Sequence, residues 1–216
     1  MSQKISLKEA ERKAFQTRYN DGLWDIFLGC FLLMFAVAPF LSSSLGDFWS
    51  TAVFVPVWVI AFLVIWLVRK RVVTPRVGVV RFGHTRQTRL LRFTIAMLVI
   101  NVVAFVGGLV AALNFARVPG QLGGIVFGLI LLAFFSVAAY FLDFGRLYIY
   151  GLLVGLAPAV GEWLWARGYA THHGYPITFG VTAGIMILVG VALFVRLLRE
   201  NPLQPEGMPP EEAGDA

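Results

Sequence analysis

Residues 22–41 read GLWDIFLGCFLLMFAVAPFL, twenty residues in which Asp25 is the only charge. Coiled as an α-helix, a run of this length rises about 30 Å, the thickness of the hydrocarbon layer of a bilayer. Five further apolar runs of similar length follow, at 51–68, 93–114, 122–142, 147–165 and 177–195. In lipid, backbone amides and carbonyls must be satisfied inside the segment or around a closed barrel, and this sequence lacks the short alternating stretches that barrels need. The expected fold is all-α: a polytopic integral membrane helical bundle of six transmembrane helices.

The composition agrees. Hydrophobic residues make up 58% of the chain and charged residues 14%, with a mean hydropathy of +0.77, outside the range of soluble globular domains. The segments between the runs are too short and scattered to build a soluble catalytic domain. Any chemistry is therefore confined to the bundle, its faces or its loops.

The basic residues set an orientation. Five precede the first run (Lys4, Lys8, Arg12, Lys13, Arg18), and eight lie between the second and third (Arg69, Lys70, Arg71, Arg76, Arg81, Arg86, Arg89, Arg92). Arg146, Arg196 and Arg199 fall on the same side when both termini are cytoplasmic, leaving only Arg117 and Arg167 opposite. A 16 to 2 division places the protein in the cell membrane with both termini inside. The net charge of +6 is explained by this crowding against one membrane face, and no aromatic-interleaved basic module points to nucleic acid.

Outside the spans, residues 1–21 predict an amphipathic cytoplasmic surface helix, with Ser6 and Glu9 at capping-box spacing and Ile5, Ala10, Ala14 and Phe15 as its apolar stripe. Ala36-Val37-Ala38 has the form of a signal-peptidase site. The long charged lead and Pro39 after the cut argue against cleavage, so the first span is expected to be retained. Asp21 and Asp25 read as capping carboxylates at a helix N-terminus. The membrane domain is expected over 22–199, and within it the first half of the cytoplasmic loop at 69–92 holds VVTPRVGVVRFG at 72–83, whose β-branched residues, Pro75 and Gly78 predict a short strand or hairpin. Arg86, Arg89 and Arg92 follow at helical spacing. Residues 200–216 hold five acids and four prolines and predict a disordered acidic tail.

Three stretches, YNDGLWDIFLG at 19–29, TPRVGVVRF at 74–82 and VRLLRENP at 195–202, resemble an uncharacterised family of prokaryotic multi-pass membrane proteins. In that family a charged N-terminal helix leads into a DGLWDIFLG-like first span, a PRxG-type element follows the second span, and a basic ENP-like segment closes the last. The resemblance implies the same topology and carries no activity to Trp24, Asp25, Pro75, Arg76 or Gly78.

Nucleotide-loop, dinucleotide-fold, zinc-protease and hydrolase-elbow motifs are all missing from the sequence. Cys30 is the single cysteine, which excludes an intramolecular disulfide and a cysteine metal cluster. His172 and His173 adjoin Glu162 across the last outer loop but fall short of the three or four ligands zinc requires, so neither a metal nor another cofactor is expected. Glycines spaced four apart (Gly120/Gly124, Gly124/Gly128, Gly151/Gly155, Gly180/Gly184) permit close helix packing. Asn101 and Glu162 are the candidate intramembrane polar site, with Pro158 freeing the Val154 carbonyl one turn before Glu162. Near the span's end, Glu162 is expected to reach the outer interface and pair with Arg167 beside Trp163 and Trp165.

The expected function is non-enzymatic: a scaffold, an accessory subunit or a lipid-surface protein. Arg76, Arg81, Arg86 and Arg89 are then candidate contacts to anionic lipids, with a membrane-protein partner or a second copy as further partners. The alternative is a small-solute or ion transporter or channel in which Glu162 and Asn101 line a path.

Overall fold

The structure, a computed structural model, describes residues 21–77, 84–113 and 120–202, and its regular elements there are all helical. Helix α1 spans Leu23–Leu45, the short α2 Asp47–Ala52, and α3 Phe54–Val68. A π-helical turn, Arg69–Val73, carries α3 into the short α4, Thr74–Val77. Then come α5 (His84–Leu113), α6 (Gly120–Leu142), α7 (Arg146–Ala166), a 3-10 turn (His172–Gly174) and α8 (Tyr175–Glu200).

Five helical stretches are long and apolar enough to cross a membrane: Leu23–Leu45, Phe48–Arg76, Leu122–Leu142, Arg146–Ala166 and His172–Glu200. The third sequence run becomes a shorter apolar stretch, Leu91–Gly107, inside the 30-residue α5. The surface helix expected before Asp21, the tail beyond Pro202, and Arg81 all lie outside the described residues.

The strand or hairpin expected over 72–83 is corrected for residues 72–77, which are helical, and residues 78–83 lie outside the described residues. Strand propensity yields here to packing. The π turn carries the chain onward so that Val73 buries against Leu23 and Leu197, an apolar cluster joining the start of α1 to the end of α8. Pro75 follows directly on the π turn, as the second residue of α4. The helical lead-in predicted for Arg86, Arg89 and Arg92 is present as the first turns of α5.

The main core is built from α1, α6, α7 and α8: Leu32 and Ala36, Phe135 and Ala139, Val154 and Ala157, and Phe179, Ala183 and Met186. Two glycine contacts set its tightness. Gly22, at φ 76°, lies against Gly190 so closely that a Cβ on it would overlap the Gly190 carbonyl, which draws α1 onto α8. A Cβ on Gly128 would likewise overlap the Gly155 carbonyl, so α6 and α7 touch backbone to backbone. By contrast, α3 has no buried residue, and Ile60, Leu63, Leu98, Val103 and Phe105 on α3 and α5 point outward.

Candidate functional site

Among the described residues, the buried charges form two clusters at opposite ends of α7. The first gathers at the start of α1. The Asp21 carboxylate caps that helix by accepting the Leu23 N–H (3.1 Å), as expected, and it also accepts from Arg69, whose Nε lies 3.2 Å from Oδ2 and whose Nη2 closes the pair. The Arg69 guanidinium sits 5.7 Å from the centre of the Trp24 ring. Burial pushes the Asp21 carboxyl above its ordinary value, with the Arg69 charge pulling the other way.

Asp25, four residues on, was expected to cap the helix too. The structure corrects this: Asp25 is 0% exposed and faces α7 instead. Its Oδ1 accepts from the Tyr150 hydroxyl (2.7 Å) and from Arg146 Nε (3.3 Å), and its Oδ2 from Arg146 Nη2 (3.1 Å). The α6–α7 turn makes this possible. Asp143 takes a left-handed φ of 50°, the Phe144 N–H reaches back to the Ala139 carbonyl, and the buried Phe144 ring lies 4.8 Å beneath the Arg146 guanidinium. Arg146 and Tyr150 are one helical turn apart on α7, so one face presents both donors.

The second cluster surrounds Glu162, near the far end of α7. Glu162 is 4% exposed, and its Oε1 accepts the Tyr175 hydroxyl (3.3 Å) and lies 3.0 Å from Nδ1 of His173. The expected pair with Arg167 is corrected: Arg167 lies over the Trp163 ring at 5.3 Å. Five residues around a helix is about 140°, so Arg167 cannot share the face of Glu162, whereas the turn returning into α8 lands on it. α7 continues through the buried Pro158, and a Cβ on Gly124 of α6 would stand 2.8 Å from the Glu162 Cγ.

Asn101 does not join Glu162. It is exposed on α5, and its amide donates to the Met97 carbonyl one turn back at 2.8 Å, so no second helix is needed to satisfy it. Arg76 also bonds within its own segment, donating from Nη1 to the Val72 carbonyl (2.8 Å). The side chains of Arg86 and Arg89 lie outside the described residues. Among the described residues, no three His, Cys, Asp or Glu side chains converge as a metal site.

The pairing of Asp25 with Arg146 and Tyr150 was missed in the sequence. A signal existed, since an acid and a base each sit at the start of a long apolar run. The 3-10 turn that folds His173 onto Glu162 had no comparable signal.

What the fold defines is a class, an all-helical protein with several helices of membrane-spanning length and apolarity. No family model, no curated protein and no solved structure matches this chain.

Proposed function

We propose that the chain is an integral membrane protein of six spans with both termini in the cytoplasm, acting without catalysis as a scaffold or accessory subunit. The outward apolar faces of α3 and α5 support insertion, because surfaces of that extent are rare in water. Asp21, Arg69, Arg146 and Arg199 at one end of the bundle agree with the basic asymmetry of the loops.

The observation that carries the scaffold reading is how the buried charges are used. Asp25 and Glu162 are spent on partners at the two ends of α7, and the layer between them is filled by Val154, Phe179, Ala183 and Met186 and closed by the Gly128–Gly155 contact. Buried charges so paired clamp helices together. The loosely held α3 and α5 are the faces left for a membrane-protein partner or a second copy, and the basic loop at 69–92 for anionic lipid head groups.

A second reading, a small-solute or ion transporter, is favoured by one feature, the buried Glu162 one turn beyond Pro158. Flux assays on proteoliposomes holding the purified full chain separate the two. The scaffold reading expects no ion or solute flux above empty liposomes. A pH-dependent flux that Glu162→Gln abolishes in a stably folded protein would establish the transporter in its place.

A further inference from the structure

The connection from α7 to α8 is held against α7 by contacts of unusual closeness. A Cβ on Gly161 would lie 2.6 Å from the His173 carbonyl oxygen, and one on Gly174 (φ 66°) would lie 2.5 Å from the Gly161 carbonyl. The turn is also strained. His172 and His173 both adopt left-handed φ values, 51° and 55°, a conformation that residues other than glycine keep only where surrounding contacts enforce it. The His173 ring lies 4.4 Å from that of Trp165 on α7, the His172 ring 5.2 Å from Phe40 on α1, and His173 Nδ1 sits on the Glu162 carboxylate.

The carboxylate has little freedom to move away. Gly124 of α6 backs its Cγ, Tyr175 holds the same oxygen from α8, and the side chain is almost wholly buried. His173 differs in one respect: its side chain is 50% exposed, so protons reach the imidazole. A carboxylate only accepts hydrogen bonds, so Nδ1 carries the hydrogen and Nε2 is left to gain or lose the titrating proton. The groups facing this pair from the packed elements are Glu162 and Arg167 on α7, with Arg167 engaged over Trp163, Tyr175 on α8, and His172 in the turn. Among the described residues, α1 and α6 bring Phe40 and Gly124 and no charge.

We propose that His173 and Glu162 form a proton-operated clasp: the strained turn between α7 and α8 is held closed by an imidazolium–carboxylate bond and loosens when His173 loses its Nε2 proton. Protonation sets a full positive charge against the carboxylate, adding ion-pair attraction to a hydrogen bond already in place. The strain at His172 and His173 is the force that opens the turn once the bond weakens.

The test places a nitroxide at Thr171→Cys, in the full chain carrying Cys30→Ala and held in lipid nanodiscs. The mobile fraction of its spectrum is followed from about pH 5 to about pH 8, the range in which imidazole titrates. The expected result is a rise of about threefold with a single midpoint, as the ion-pair attraction is lost. That response persists in His172→Gln and Tyr175→Phe and vanishes in His173→Gln, which keeps a donor but no titrating proton. A pH-invariant spectrum in the chain with native histidines, or an unchanged response in His173→Gln, would overturn the proposal. Ring-nitrogen resonances of His173 give a second measure that needs no substitution: Nε2 is expected to deprotonate while Nδ1 stays protonated, and the opposite order would overturn the clasp.

Discussion

Arg146 lies on the buried carboxylate of Asp25, with Nη2 3.1 Å from Oδ2, joining two helices whose paired residues stand 121 positions apart in the chain. Tyr150 completes the arrangement by donating to the other oxygen. A carboxylate with no solvent exposure is tolerable only while such donors remain, because an uncompensated buried charge is among the most costly defects a fold can carry.

Asp25→Asn or Arg146→Gln is therefore expected to destabilise the bundle by about 3 kcal/mol, the range for removing one partner of a buried pair. Tyr150→Phe should cost about 1 to 2 kcal/mol, as for one hydrogen bond to a charged group. Asp21→Asn should cost less than Asp25→Asn, since burial already disfavours the Asp21 charge. Thermal unfolding in mild detergent measures all four. Equal stability of Asp25→Asn and the parent would mean that the pair is incidental.

The Gly128–Gly155 contact predicts a sharp positional contrast. Gly128→Ala forces α6 and α7 apart and should cost about 1 to 3 kcal/mol, as overpacking does. Gly184 has open space around its Cβ direction, so Gly184→Ala should change stability by less than about 0.5 kcal/mol. Melting temperatures of the two variants side by side decide the matter, and similar losses at both positions would refute the packing described.

Orientation is tested by cysteines at Ser43 and Thr171, both exposed and both expected outside the cell, in a Cys30→Ala background. Membrane-impermeant reagent should label each from the external side, while reporters fused to the termini read as cytoplasmic. Labelling of either position only from the cytoplasm would reverse or break the proposed topology.

Replacing Arg76, Arg81, Arg86 and Arg89 with Gln should weaken retention of anionic lipid in native mass spectrometry, each cation near such a surface contributing about 1 kcal/mol. If retention is unchanged and insertion normal, the basic loop acts through orientation alone.

Much of this was legible in the sequence because it depends on properties local to each segment. Uninterrupted apolar runs set where helices lie and how long they are, since a helix satisfies its backbone within itself wherever water is scarce. Boundaries moved at the ends, as where α8 extends to Glu200 past the run's end at 195, and the second run is divided at Val53 between α2 and α3. At residues 72–77 helix replaces the expected strand because β-branched composition is a weak preference, and burying Val73 on Leu23 and Leu197 outweighed it.

What the sequence by itself determined is a set of long apolar helices. Only the tertiary structure decided which acid meets which base. Partner choice depends on the rotation of each helix about its axis, and that rotation is set by close approach at Gly22, Gly128 and Gly155. For the same reason Glu162 found His173 and Tyr175 rather than the nearby Arg167: five residues along a helix turn a side chain onto another face, while a returning turn brings distant groups onto the same one.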